Sequence, residues 1–540
     1  MTGAVLPPPP GPNLNIWAQQ VSAFIGRTAG KLRWKNSGDS PSDNRMIVWD
    51  EQSKSVVVSV DGKWIELMSG KASAFGDSIS VELNPVVSVS AVYGVRDNLE
   101  QFSATGGSIT TTNSEFVLQT GTSVGGYGVL WSKRPMVYIP GVGAECRVTG
   151  RFTAPVANSL QAVGMFSAVN GMFFGYNGTS FGVMHRHDGD FEIRRLTINT
   201  ASTAAATATV TLNGTAYTAS VTNASAAINA QEIAAGLRAG AAGALWSIQS
   251  VGSAVVFMFK GDGPKSGTYS LSVSSGALAG TFTQDTAGVT KTEDWTAQDD
   301  WNVDKCAWLD TTKGNIFKLE YAYLGYGPLK FSVFDPATRD FVLAHVVDWT
   351  NANTQPNFNN PSMRVGWVSA SLGSTTNLTV AGASGMLALQ GRGGAWRPFG
   401  HSGVKSGITT ETALISLQSR YYFNNRSNAG LTHIKSISVS TDSTKGGIFR
   451  VYKNATIGGN PLWNYEQQSE SVMLVDSAGT TVSGVPALAT YVVGPNGSST
   501  INLEELDIDL VAGDKFTITA ERVSGSAAEM TASVTWGERI

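Results

Sequence analysis

Through most of the chain, apolar and polar residues alternate with a period of two, in short runs that end at Gly, Asn, Ser or Pro. That spacing turns one face of a strand to a core and the other to solvent, and it predicts antiparallel β-structure. From Val89 the runs include "SEFVLQT", "GYGVLWS", "GAECRVTGRF" and "GMFFGYNGTSFGVMHRHDGDFEIRRLTI". Strands repeated at roughly eight to twelve residues, with turn residues between them, predict a β-sandwich or jelly roll.

Two stretches depart from this rhythm. Residues 14–29 place Leu14, Trp17, Val21, Phe24 and Ile25 on one helical stripe, closed by Gly26 and Gly30. Residues 200–290 begin with a hairpin turning at Asn213-Gly214. A helical run follows (Ile228, Ile233, Leu237, Ala241), with Asn223 or Ser225 as N-cap, and at least two more strands come after it. The order ββαββ predicts a small α+β module inserted into the sandwich, which resumes near residue 291.

The expected fold is therefore mainly β: a multi-domain antiparallel β-sandwich or jelly roll with an N-terminal arm, helix and hairpin and one inserted module. Residues 1–13 contain Pro7, Pro8, Pro9 and Pro10, an extended polyproline arm. "RMIVWDEQSKSVVVSVDGKWIEL", Arg45 to Leu67, predicts a β-meander turning at Asp61-Gly62. The divisions expected are an N-terminal segment 1–68, a linker 69–88 with Pro85, a discontinuous body 89–199 and 291–390, and the insertion 200–290. A Gly-rich link 391–405 and a C-terminal β-sandwich 406–540 complete them.

Composition sharpens the picture. Charged residues make up 15% of the 540, against an average of about 25%, and there are 60 glycines. The length suits roughly three or four domains. The net charge is −3 and no basic block stands out, so nucleic acid is not an expected partner. Lys31, Arg33 and Lys35 around Trp34 predict one short strand rather than a phosphate site. Two distant cysteines, Cys146 and Cys306, predict buried thiols rather than a disulfide framework. No signal peptide and no membrane span are expected.

Candidate chemistry is sparse. "MHRHDGD" is the one histidine cluster: His185 and His187 share a strand face, and Asp188 and Asp190 follow at a turn. A metal site needs three or four convergent ligands, and residues running into an Asp-Gly turn are usually solvated. The expectation is no metal, with His185, His187 and Asp188 as the weak candidates, and no cofactor. Asp299, Asp300, Asp304 and Asp310, with Trp295, Trp301 and Trp308, could build a glycan hydrolase, but the parallel β-helix repeat usual in such tailspikes is missing and an aromatic-rich sandwich edge is the expectation. No nucleophile elbow, zinc-protease helix or phosphate loop occurs, and an enzyme is not expected.

Two regions resemble proteins of virus particles. The "WD…DG-KW" hairpin is similar to a small module of bacteriophage tail fibres. "YGVRDNLEQF", "FFGYNGTSFGVMHR", "WNVDKCAWLDTTKGNIFKLEY", "YLGYGPLKF" and "PSMRVGWVSASLGSTTNLTVAGAS" resemble a body domain of virion proteins of tailed phages and some large algal viruses. The resemblance spans roughly residues 90–390 and implies a structural virion protein without a catalytic role. It implies a tail fibre or comparable appendage that contributes to host attachment through its distal β domains, with a host-surface glycan or protein as partner. The alternatives are a head fibre or capsid decoration protein, and a host-glycan hydrolase. On this reading Leu6, Pro7 to Pro10, Trp17, Val21 and Phe24 attach the chain to tail adaptor, nozzle or capsid subunits. A homotrimer is the expected assembly.

Overall fold

A computed structural model describes residues 33–35, 47–50, 55–60, 63–66, 83–391, 393–442 and 444–540. The attachment residues Leu6, Pro7, Pro8, Pro9, Pro10, Trp17, Val21 and Phe24 lie outside the described residues. Strands Ile47–Asp50, Ser55–Val60 and Lys63–Glu66 form an antiparallel meander, and Arg33–Lys35 joins it in parallel on Ile47–Asp50. The rest is mainly β and divides into antiparallel sandwiches with one inserted α+β module. Among the described residues no helix is long and apolar enough to cross a membrane.

The body packs a nine-stranded sheet on a seven-stranded one. In the first, Gly143–Phe152 pairs with Asn315–Tyr321 on one side and with Ser384–Gln390 and Thr379–Gly382 on the other. The second runs Thr292–Ala297, Ser180–His187, Gly171–Asn177, Ser159–Phe166, Arg364–Ser371, Tyr127–Ser132, Leu99–Ala104. Alternation sets the core: Phe317, Leu319 and Tyr321 are buried together with Phe116, Phe174, Trp301, Phe331 and Trp367. Phe174 stacks on Phe317 at 4.7 Å between centroids. The Trp367 indole donates to Thr149 O at 2.8 Å. This contact requires Gly382, where a Cβ would stand 2.1 Å from the indole nitrogen. Cys146 and Cys306 are buried in this core and are not in a disulfide, and burial pushes the Cys146 thiol well above its ordinary pKa.

The inserted module is larger than the sequence pattern outlined. Ile193–Thr200, read from sequence as a body strand, pairs instead with Ala254–Phe259 and Ala279–Thr286 in the module's own sheet, with Trp246–Val251 at its edge. A second sheet holds Thr215–Val221, Ala206–Leu212 and Ser270–Val273. The helix Ala226–Ala239 is capped by Ser225, whose Oγ accepts from Ile228 N, and it buries Ile233 and Leu237. Ala241 is exposed beyond its end. The module leaves and returns through one neck. Asp190 and Val289 exchange backbone hydrogen bonds of 2.9 and 3.0 Å, and the flanking strands Ser180–His187 and Thr292–Ala297 pair with each other.

The C-terminal sandwich has a five-stranded and a six-stranded sheet around Leu417, Phe449, Phe516, Ile518 and Trp536. Its first strand, Arg397–Ile408, begins inside the stretch read as a Gly-rich link and pairs along Ala528–Arg539. The three units are not independent. Phe191, Ile193 and Met258 of the module pack with Tyr422, Ile457 and Trp463 of the C-terminal domain and with Val169 of the body. Gly252 N donates to Trp463 O at 2.8 Å.

Candidate functional site

The seven-stranded sheet is apolar on both faces. Along Tyr127–Ser132, Gly128, Leu130 and Ser132 are buried, and Tyr127, Val129 and Trp131 alternate with them on the outer face. Register sets Glu100 opposite Trp131 and Phe102 opposite Val129. Phe102 and Trp131 meet edge to face at 5.3 Å, and Trp131 packs on Phe166 at 5.6 Å. The Trp131 indole donates to Glu100 Oε2 at 2.8 Å. Aromatic surface on the outside of a sheet marks a place for a cover or a ligand.

Here the cover is partial. The module contributes Arg238, Leu245 and Lys260, and the C-terminal domain Tyr421 and Lys515, to a cleft of about 840 Å³ over the aromatic face. Cations crowd it: Lys133, Arg238, Lys260, Arg364 and Lys515 all line it. Among the described residues none of these five lies within ion-pair distance of a carboxylate. Arg364 sits over the Trp131 ring at 5.5 Å. The two carboxylates of the lining are otherwise engaged, Glu100 by Trp131 and Asp514 by Lys453 at 3.4 Å. Burial lowers the pKa of Arg238, Lys260, Arg364 and Lys515, and for Lys515 the Arg238 charge adds to it. The Glu100 charge offsets part of this at Lys260 and Arg364, but the partly desolvated cations outnumber the two carboxylates and favour an anion in the space between them.

The histidine cluster lies on the back of the same wall. On Ser180–His187, Arg186 lines the cleft, while the side chains on either side of it, His185 and His187, stack at 4.4 Å beside Trp349 and Phe358. The expected solvation is corrected: both histidines are buried, and of the turn beyond them Asp188 and Asp190 are half-buried while Gly189 is buried. His185 Nε2 is 2.9 Å from Asn357 O, to which it donates, and its buried Nδ1 has no hydrogen-bond partner. Burial first, then the neighbouring His187, brings the His185 pKa down to about 4. His187 Nε2 is 2.9 Å from Asp294 Oδ2. Asp188 Oδ2 is 2.8 Å from His187 Nδ1 but off the direction a hydrogen bond needs, so that nitrogen too lacks a hydrogen-bond partner. One ligand atom each from His185, His187 and Asp294 falls within 4.8 Å of the others.

The other sequence candidates are dispersed. Trp301 is wholly buried, between Phe174 and Phe181, and cannot form a sugar platform with the nearby acids. Asp304 Oδ1 accepts from Cys306 N, and Asp310 accepts from Thr312 in a surface turn. The residues that build the cleft went unnoticed in the sequence. One signal was there: "YGVLW" puts large apolar side chains on both faces of a strand, which an exposed outer face would not carry.

No protein-family profile and no curated protein matches this chain. Among solved structures, the metal-free carbohydrate recognition domain of Emp46p superposes with a TM-score of 0.22 at 11% identity, over 57% of this chain and 98% of that one. Arcelin-5, a lectin-like defence protein from Phaseolus vulgaris, gives 0.22 at 8% identity, over 57% and 99%. A lectin from Bauhinia forficata in complex with GalNAc gives 0.21 at 12%, over 56% and 97%. Superpositions this loose say nothing about function.

Proposed function

We propose that this chain is a structural component of a tailed-phage particle, a tail fibre or comparable appendage, and that its central cleft holds an anionic glycan of the host surface. The glycan half of the reading rests on one observation: cations in excess of the carboxylates surround the Phe102–Trp131 aromatic pair in a recess of about 840 Å³. Aromatic rings stack on the apolar faces of sugars, and guanidinium and ammonium groups pair with uronate or sulfate. The particle half rests on the sequence, namely the prolyl arm, the Trp-rich hairpin and the body motifs.

The chain works as a homotrimer on this reading. Two C-terminal strands, Arg397–Ile408 and Ala489–Val493, each pair on one side only, and Val404 and Val492 stand exposed on them. Free edges of this kind are blunted by packing against a further copy. Light scattering of the full chain should give three copies, and a clean monomer removes the trimer from the reading.

The glycan test uses the full chain against immobilised polygalacturonate and heparin, with neutral dextran as reference. Acidic polymers should be retained, the more weakly the higher the salt. Arg364→Gln and Trp131→Ala should each weaken retention at least tenfold, about 1.4 kcal/mol. Equal retention of dextran, or unaltered binding by both variants, rejects the cleft as the glycan site. Peptides of the chain in purified particles test the virion assignment separately.

A further inference from the structure

We propose that His185, His187 and Asp294 form a divalent transition-metal site, with Asp188 at its edge, that staples the neck of the inserted module. The residues come from the two strands through which the chain enters and leaves that module. A histidine that binds a metal through one ring nitrogen characteristically donates its other N–H to a carbonyl or carboxylate. His185 has this form: it donates Nε2–H to Asn357 O and leaves a buried Nδ1 without a hydrogen-bond partner, while the His187 ring lies between Asp294 at Nε2 and Asp188 at Nδ1. A buried ring nitrogen with no partner is costly, and His185 is only 2% exposed. A cation that accepts that lone pair removes the cost.

The donor set sorts the metals. Two imidazoles with carboxylate oxygen suit zinc and its first-row neighbours, whereas calcium and magnesium require mostly oxygen. His185 and His187 are fixed by strand geometry and by packing against Trp349 and Phe358. Asp294, whose side chain is 61% exposed, is free to turn from His187 toward the metal, and Asp188 stands 2.8 Å from the His187 ring. The site would tie Ser180–His187 to Thr292–Ala297 at the point where the Asp190–Val289 bridge closes the neck. It also lies behind Arg186, so it would steady the cleft wall from the rear.

The experiment uses the full chain, without a histidine tag, dialysed against chelator and then titrated with zinc chloride or cobalt chloride. One equivalent of zinc should bind and raise the melting temperature, and cobalt should give the visible bands of a low-symmetry nitrogen and oxygen environment. Asp294→Asn, a surface change that leaves the core intact, should weaken zinc by more than the ~10–100-fold that loss of an outer partner costs. His185→Ala should abolish binding, and His433→Ala, in a different cluster, should leave it unchanged. No uptake at 100-fold excess metal, or uptake that survives both Asp294→Asn and His185→Ala, overturns the proposal. The glycan reading stands or falls separately, on dextran against acidic polymers.

Discussion

Two clusters in this molecule combine histidine and aspartate in inverse proportion, two imidazoles with one carboxylate against one imidazole with two, and burial acts differently on them. At the neck of the insertion, His185 and His187 stand with Asp294; where the body meets the C-terminal domain, His433 stands with Asp507 and Asp509. In the second, His433 Nδ1 is 2.9 Å from Asp509 Oδ1, Asp509 Oδ2 binds Arg134 of the body at 2.6 Å, and Lys453 donates to Asp509 O. The hydrogen bond to Asp509 leads the causes that raise the His433 pKa. No buried ring nitrogen is left over there, and a metal would have to displace an arginine. At the neck, burial dominates at His185, and its Nδ1 lone pair remains without a partner. The residue types in a cluster do not set its role; the charge already supplied by its neighbours does.

The largest effect that sharpens this contrast is on pH. A third body histidine, His345, accepts from Asn302 N through Nδ1 at 3.3 Å, a role open only to the neutral ring. Burial, then the Lys305 charge, brings its pKa down to about 4. The unfolded chain, near the ordinary value of about 6.5, binds more protons between those limits, so stability is full above pH ~6.5 and is lost as pH falls toward 4. The loss is on the order of a few kcal/mol. His433 has the reverse sign: its contribution is full below its unfolded pKa and is lost as pH rises through its raised folded value. Calorimetry from pH 4 to 9 should show His345→Asn making the acid limb shallower, with the like-signed share of His185 remaining, and His433→Asn flattening the alkaline one. Parallel slopes in the two variants would erase the contrast.

Next in size is Asp509→Ala. It removes the acceptor shared by Arg134 and His433 and leaves two cations facing each other across the junction. A partly buried carboxylate with charged partners is worth about 2 kcal/mol. The C-terminal transition should fall by that much in chemical denaturation at pH 6, and by less as pH rises through the raised pKa of His433. A loss that does not depend on pH would mean that Asp509 serves the backbone rather than the histidine.

How much of this was legible beforehand differs from element to element. Period-two runs such as "NIFKLEY" gave strands, and Asn213-Gly214 gave a hairpin whose two residues have φ of 51° and 84°. Ile193–Thr200 was misplaced because a strand carries no mark of the sheet it joins, and it follows body strands directly in sequence. "WRPFGHSG" read as a link because glycine is rare in strands, yet Gly403 lies where a Cβ would meet Ile415 Cγ1 at 2.9 Å. His185 and His187 were legible as a pair because alternate residues share a face. Asp294, more than a hundred residues away, was not. The cleft was illegible in principle, since Lys133, Arg238, Lys260, Arg364 and Lys515 come from three units and converge only in the packed chain.

The smallest effect tests whether the junction cluster binds the domains or only decorates them. Arg134 is 35% exposed and Asp509 13%, so water screens one partner far more than the other. Exposed ion pairs are worth about 0.2–1 kcal/mol, and Arg134→Ala alone should cost no more than that at low salt and less at high salt. The informative quantity is the coupling with His433. Both cations lean on one carboxylate, so removing Arg134 makes Asp509 a better partner for His433 and should raise the histidine's pKa further. The alkaline limb of the stability curve should then move to higher pH in Arg134→Ala, while the acid limb stays in place. NMR titration of the His433 ring would read the same shift directly. An unmoved His433 would show that Arg134 and the histidine use the two Asp509 oxygens independently, and the two clusters would then differ by burial alone.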